Sequence, residues 1–318
     1  MPDDRHHNLL AQIAYMYYEQ ELTQNEIAAQ LGLSRVKIYR LLKQAKAERV
    51  VEIKINWPLE RDPELEKLLI QTFGLKDALV LKTISQDHVS ILSQLGQLTA
   101  YYLEQILADG STLAICLGRS TYEVINAISP NFQAKIRVAQ AMGSMPFAMQ
   151  ELDSAALARQ LAQKLGGEVL YLSSPLIADS PEAAVVLRRQ REIERTLAAA
   201  RQADVALVGI GNLDSATSGF VKAGVITAAE LAALRDDGAV GDVAGQIFTI
   251  TGELHPCEYN RLLVGITFDE LCQIPTTIAV AGGQEKTTAI WGGLRTCAIK
   301  VFCTDDQTAR EVLNLHRG

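Results

Sequence analysis

Residues 22–45 read Leu22-Thr-Gln-Asn-Glu-Ile-Ala-Ala-Gln-Leu-Gly32-Leu-Ser-Arg-Val-Lys-Ile-Tyr-Arg-Leu-Leu-Lys-Gln-Ala45. Two short helical patterns meet at Gly32, each with its own start signal. Thr23 is placed as an N-cap, and Glu26 three residues on completes a capping box. Ile27, Ala28 and Leu31 then form an apolar stripe. Gly32 supplies the positive φ that a tight turn between helices demands, and Ser34 is the next N-cap. Ile38, Leu41, Leu42 and Ala45 fall at i, i+3, i+4 and i+7, one helix face. The opposite face carries Val36, Tyr39, Arg40 and Lys43, with Arg35 and Lys37 near the start. This is the pattern of a helix-turn-helix whose second helix enters the major groove of duplex DNA. The residues expected to touch DNA are Thr23, Gln24, Ser34, Arg35, Val36, Lys37, Tyr39, Arg40 and Lys43.

Charge supports that reading. The chain of 318 residues carries a formal net charge of −7, so it has no general attraction for a polyanion. Yet residues 35–54 contain seven basic residues and two acidic ones. Localised positive charge beside a capped helix pair is the electrostatic footprint of duplex binding.

Leu10, Ile13, Ala14, Tyr17 and Tyr18 form a further helical stripe, which predicts a third helix packed behind the pair. Val51, Ile53 and Ile55 alternate with Glu52 and Lys54, the period of a short strand. Pro58 and Pro63 mark a junction. A three-helix winged unit is therefore expected over 1–56 and a larger domain over 57–318.

The larger part alternates. Apolar, β-rich runs occur at 78–81, 113–117, 136–139, 169–172, 205–210, 262–265, 277–281 and 299–302. Helical patterns lie between most of them, at 87–107, 155–165, 182–201 and 306–313. Near-continuous apolar strands separated by helices predict a mostly parallel sheet covered on both faces. Such sheets bind ligands at the carboxyl ends of their strands.

Several of these strand ends are chemically equipped. The run 114–117 leads into Gly118-Arg119-Ser120-Thr121, where backbone N–H groups, hydroxyls and a helix N-terminus suit a phosphate. Val205-Ala-Leu-Val-Gly209-Ile-Gly211-Asn-Leu-Asp214 is Gly-x-Gly-x-x-Asp, not the dinucleotide fingerprint Gly-x-Gly-x-x-Gly. No cofactor is expected. Gly282-Gly283 precedes Lys286, a cation able to reach an anion in the same crevice. Asp242 adds a lone carboxylate able to accept from sugar hydroxyls. Together these turns favour a small phosphorylated polyol.

Composition bounds the rest. With 48% hydrophobic and 21% charged residues, both parts have material for a core. No apolar run of about 18 residues predicts a membrane span. The N-terminus lacks a secretory pattern, so a cytoplasmic protein is expected. The five cysteines (116, 257, 272, 297, 303) are odd in number, contain no Cys-x-x-Cys, and read as reduced residues rather than a disulfide set or zinc site. His6-His7 reads as a solvated pair.

The chain resembles, from end to end, the SorC family of bacterial sugar-responsive transcription regulators. Four stretches carry the resemblance beside the N-terminal motif: 203–211, 238–245 (Gly-Ala-Val-Gly-Asp-Val-Ala-Gly), 278–286 (Ile-Ala-Val-Ala-Gly-Gly-Gln-Glu-Lys) and 301–309. The resemblance implies a Rossmann-like domain related to glucosamine-6-phosphate deaminase and ribose-5-phosphate isomerase. It implies that the turn Gly118–Thr121 and Lys286 hold an effector phosphate and that Asp242 holds hydroxyls. Gly143-Ser144 stands where the family often has Gly-Gly, and Leu117 where it commonly has an aromatic. Both departures sit at the effector site and bear on ligand identity. The family also implies a homotetramer, a dimer of dimers. The expected site therefore comprises Gly118, Arg119, Ser120, Thr121, Gly143, Ser144, Gly209, Gly211, Asp242, Gly282, Gly283 and Lys286.

Two functions remain, the second through the fold relation that the resemblance implies. One is a DNA-binding regulator controlled by a phosphorylated sugar. The alternative is a sugar-phosphate isomerase or deaminase with a DNA-binding domain attached. An isomerase needs a positioned base, and no second acid or histidine clusters with Asp242 in the sequence, so the expectation is a non-enzyme.

Overall fold

The computed structural model describes residues 4–48, 50–51, 58–83, 88–116, 118–145 and 154–317. The chain divides into two compact units, Met1–Pro58 and Leu59–Gly318.

The first unit holds α1 (Asp4–Tyr18), α2 (Gln24–Leu31) and α3 (Arg35–Ala47). One core joins them: Leu10, Ile13 and Ala14 of α1 pack with Ile27 and Ala28 of α2 and with Ile38, Leu41, Leu42 and Ala45 of α3. Tyr17 and Tyr18 are partly buried against it. His6, expected to be solvated, meets the Gln44 side-chain amide at 2.8 Å and so links α1 to α3. The expected strand of Val51, Ile53 and Ile55 falls mainly on residues 52–57, outside the described residues, as does Leu117.

The second unit runs α4 (Pro63–Phe73), β1 (Asp77–Leu81), α5 (His88–Ile106), β2 (Thr112–Ile115), α6 (Arg119–Ala127), β3 (Arg137–Gln140), α7 (Ser154–Leu165) and β4 (Glu168–Leu170). It continues with α8 (Pro181–Arg188), α9 (Arg191–Arg201), β5 (Val205–Asn212), α10 (Gly219–Lys222), α11 (Ala228–Asp236), β6 (Ala239–Val243) and β7 (Gln246–Thr249). It closes with α12 (Glu258–Leu262), α13 (Phe268–Gln273), β8 (Thr276–Val280), a short 3-10 turn (Gln284–Lys286), α14 (Thr287–Leu294), β9 (Val301–Asp305) and α15 (Asp306–Arg317).

Seven strands form a parallel array in the order β1-β9-β8-β5-β2-β3-β4. Alternate strand residues feed two cores. Leu79, Leu81, Leu113 and Ile115 face a layer built by α5, α6 and α7. Val80, Ala114, Ala206 and Val208 face the other, with Leu69 of α4, Leu197 of α9 and Val312 of α15. Burial on both faces explains why these strands read as unbroken apolar runs.

From β2 the chain moves outward to β3 and β4, then returns to β5 beside β2 and continues the other way to β8 and β9. The order therefore reverses between β2 and β5. In open α/β sheets that switch point opens the crevice where ligands bind.

Four features depart from the sequence reading. An antiparallel hairpin, β6–β7, is added to the end of β5, pairing Ile210 with Val243, Gly211 with Asp242 and Asn212 with Gly241. The run 262–265 is not a strand of the sheet: Leu262 ends α12, and Leu263 and Gly265 make only single bridges to Ile177 and Met142. The pattern at 182–201 is two helices, broken at Arg189-Gln190. Buried Ala184 and Ile193 are nine residues apart, about half a turn out of phase at roughly 100° per residue. The break lets both face the core. Finally, Cys272 and Cys297, read as reduced, form a disulfide with a Cα–Cα distance of 5.2 Å. The fold brings the end of α13 beside the turn after α14, a proximity that a separation of 25 residues does not advertise. Cys116, Cys257 and Cys303 are free, and burial pushes the Cys116 and Cys303 thiols up to about 12.

Candidate DNA-reading face and effector site

The first-unit face forms as its caps dictate. The Thr23 hydroxyl accepts from the Glu26 N–H at 3.3 Å, and the Glu26 carboxylate accepts from the Thr23 N–H at 2.8 Å. Gly32 takes φ 63° and closes α2. The Ser34 hydroxyl accepts from the Lys37 N–H at 3.2 Å and opens α3. With Ile38, Leu41, Leu42 and Ala45 turned inward, the other face is left in solvent. Val36 is 61% exposed and Tyr39 47%. Arg35, Lys37, Arg40 and Lys43 are exposed, and none is salt-bridged to an acid among the described residues. Lys43 lies over the Tyr39 ring at 5.0 Å. Gln24 begins α2. A helix with buried aliphatics behind, free cations in front and hydrocarbon between them fits a groove lined with phosphates and base edges.

In the second unit the hairpin builds a wall over the end of β5. Asp242 stands opposite Gly211 in the β5–β6 register. A Cβ on Gly211 would overlap the Asp242 carboxylate, so glycine is what allows the acid to sit there. Gly209, two residues earlier, has no such crowding: the nearest atom to a Cβ there is Val280 O at 4.0 Å.

Lys286 reaches the same place from the turn after β8. Its ammonium donates to the Ile210 carbonyl at 3.1 Å. The Asn212 amide donates to the Glu285 carbonyl at 3.2 Å and accepts from the Thr217 hydroxyl at 3.0 Å, pinning the turn that carries the lysine. Among the described residues, no carboxylate oxygen comes within ion-pair distance of Lys286 Nζ. An ammonium has three donors, and one is used.

The electrostatics follow from burial. Desolvation pushes the Asp242 carboxyl up to about 7, against the opposing pull of Lys286 and a hydrogen bond from the Gly245 N–H. Desolvation also lowers Lys286, while Asp242 and Glu285 work to raise it. Both charged forms lack the solvation they have in water.

Across the switch point, Gly118 caps α6, and its Cβ direction is open: nothing lies within 4 Å of a Cβ placed there. Ser120 is buried at this helix start. Thr121 is committed locally, its hydroxyl accepting from the Gly118 N–H at 2.8 Å and donating to the Gly118 carbonyl at 2.9 Å. Arg119 turns to its own helix, 3.3 Å from Glu123 and over the Tyr122 ring.

The remaining expected residues each have close neighbours of their own. The Gly143 N–H donates to the Val264 carbonyl and the Ser144 N–H to the Ser174 carbonyl, both at 2.9 Å. A Cβ on Gly143 would strike the Pro175 backbone. The Gly283 N–H donates to Thr308 Oγ1 at 2.9 Å, and a Cβ on Gly282 would meet Asp305 at 2.6 Å. Sequence reasoning missed Asn212, although it ends the Gly-x-Gly run, and it missed the hairpin that holds Asp242.

No group of three or more metal-binding side chains converges among the described residues, and no helix among them is long and apolar enough to cross a membrane.

Comparison with known proteins places this architecture. Residues 58–314 match the model of a sugar-binding domain family. The transcriptional regulator LsrR of Enterobacter sp. (strain 638) is 34% identical over 313 residues, 96% of this chain and 93% of that protein. The deoxyribonucleoside regulator of Bacillus subtilis (strain 168) is 27% identical over 98% of this chain and 99% of its own. The full-length sorbitol operon regulator SorC from Klebsiella pneumoniae matches with a TM-score of 0.72 at 27% identity, over 96% of this chain and 99% of that one. The sugar-binding domain of a transcriptional repressor from Vibrio fischeri matches with a TM-score of 0.73 at 29% identity, over 81% of this chain and all of that one.

Proposed function

This chain belongs to the sugar-binding domain family of SorC-type transcriptional regulators, and from that premise we propose which groups do the reading and which do the sensing. The protein is a sugar-responsive DNA-binding regulator. The unit 1–58 reads double-stranded operator DNA through α3. The unit 59–318 binds a phosphorylated sugar or polyol at the switch point between β2 and β5 and carries the contacts of a homo-oligomer, a dimer of dimers that presents paired helices to a palindromic operator. The protein acts in the cytoplasm, where such effectors and the operator meet.

One observation carries the sensing half. Lys286 and Asp242, 44 residues apart, are delivered to the same end of β5 by a pinned turn and an added hairpin. Lys286 and the first turn of α6 take the phosphate, and Asp242 takes hydroxyls. The effector alters operator binding by preferring one arrangement of the oligomer, for which a coupling of about 1–3 kcal/mol is typical.

The test is a thermal-shift screen against phosphorylated sugars and their unphosphorylated parents. A ligand at about 100 times its Kd stabilises the folded state by roughly 2.7 kcal/mol. A phosphorylated sugar should raise the melting temperature where its parent does not. Equal shifts from both contradict the phosphate reading.

The Asp242 carboxyl near 7 also suits a general base, which is the observation favouring the enzyme reading. Incubation with aldose and ketose phosphates separates the two: the regulator reading expects no product.

A further inference from the structure

Tyr259 lies in α12, whose placement is fixed by its neighbour. The Asn260 side chain accepts from the Ile247 N–H at 2.8 Å and donates to the Ile247 and His255 carbonyls, each at 2.8 Å. Ile247 is the β7 residue directly opposite Asp242 in the hairpin register. Asn260 thus clamps α12 to the strand pair that carries the site's acid. The Tyr259 ring is 8% exposed and packs against Phe220 of α10, centroids 5.4 Å apart. Its hydroxyl, buried, has no hydrogen-bond partner among the described residues.

A buried hydroxyl left unpaired costs about 1–3 kcal/mol, and interiors pair nearly all such groups. A phenylalanine would fill the same space without that cost. Burial, and then the nearby charge of Asp242, holds the phenol well above its ordinary range, so it keeps its proton. The group is a fixed donor with nothing to donate to, on a helix clamped to the strand that pairs with Asp242.

We propose that Tyr259 is a specificity-determining residue of the effector site, its O–H donating to an oxygen on the carbon chain of the ligand next to the hydroxyls that Asp242 accepts. The inference rests on the reading of the β2–β5 crevice as the effector site. It narrows the ligand class: beside its phosphate, the molecule carries an oxygen that receives from a phenol and a neighbouring hydroxyl that gives to a carboxylate. A polyol or the open chain of a sugar offers both. An analogue lacking the receiving oxygen leaves the phenol unpaired and binds worse.

The experiment is thermal denaturation of the full chain, as wild type, Tyr259→Phe and Lys286→Met, with ribose 5-phosphate, 2-deoxyribose 5-phosphate, glucose 6-phosphate and glucitol 6-phosphate. Without ligand, Tyr259→Phe should melt at or above the wild-type temperature, because it removes an unpaired hydroxyl. With the sugar phosphate that shifts wild type most, its apparent affinity should fall at least tenfold. A lower melting temperature without ligand shows that the hydroxyl already has a partner and overturns the inference. So does unchanged affinity in Tyr259→Phe while Lys286→Met loses binding, an outcome that leaves the crevice reading standing. If none of the four shifts wild type, the crevice reading fails and this inference fails with it.

Discussion

The exposed face of α3 and the end of β5 both present cations, and they present them in opposite ways. Arg35, Lys37, Arg40 and Lys43 come from nine consecutive residues, stand in solvent and have no acidic partners among the described residues. Lys286 is half-buried, hydrogen-bonded to the Ile210 carbonyl, and shares its surroundings with an acid that burial has pushed up to about 7. The difference matches two kinds of anion. A duplex is a long polyanion that many solvated charges can neutralise by releasing counterions. A small phosphate ester offers few contacts, so each protein group must be held in place and stripped of water before the ligand arrives.

The largest expected effect lies on the exposed side. Arg40→Ala should cost about 1–3 kcal/mol of operator affinity if the guanidinium reads a guanine edge. Lys43→Ala should weaken operator and random duplex alike and flatten the salt dependence, as the loss of a phosphate contact would. Fluorescence anisotropy at matched salt reads both. Wild-type affinity in both variants would remove α3 from the interface and collapse the comparison.

The next effect tests whether the buried side depends on crowding. Gly211→Ala displaces the Asp242 carboxylate, whereas Gly209→Ala meets only an ordinary contact at 4.0 Å. Effector affinity by calorimetry should fall about tenfold or more in the first, a loss of roughly 1.4 kcal/mol, and change less than about twofold in the second. Equal losses would show that the glycines serve backbone flexibility instead of making room for the acid.

The last effect is a pH slope, spread over several units and read as a small change per unit. Asp242 in the folded protein holds its proton up to about 7, far above the ordinary 3.8. Below about 4 both folded and unfolded forms are protonated and the group costs nothing. As pH rises from there to about 7 only the unfolded form loses its proton, so stability is progressively lost; above 7 the loss is constant. Asp242→Asn has no such term. Its stability advantage over wild type should grow between pH 4 and 7, by no more than about 1.4 kcal/mol per unit, and then level off. A difference independent of pH would show that Asp242 is well solvated.

The same contrast explains what the sequence allowed. Caps and periodicity are local, so Thr23, Glu26, Gly32, Ser34 and the stripe from Ile38 to Ala45 could be read in order. Apolar runs disclosed the parallel strands for the same reason. The proposed effector edge was legible only as a set of suspects. Whether a hydroxyl is free depends on three-dimensional neighbours, and Thr121 has spent its own on Gly118. Whether a glycine serves a ligand or a neighbour depends on what faces it, and Gly143 faces Pro175. The β6–β7 hairpin escaped because Gly241-Asp242-Val243 carries no long apolar run, although it pairs with the end of β5. The Cys272–Cys297 link and the clamp by Asn260 join residues whose proximity only the tertiary fold creates.

The role proposed for Lys286 is to turn a sugar phosphate into a change of operator affinity. Its most direct test is a titration of wild-type and Lys286→Met protein, bound to a duplex that the wild type selects from a random pool, with the phosphorylated sugar that stabilises wild type most. The variant should keep its fold and its duplex affinity but no longer respond to the metabolite, while wild type shifts by about 1–3 kcal/mol. An unchanged dose–response in the variant, with the unphosphorylated parent equally effective, would contradict it.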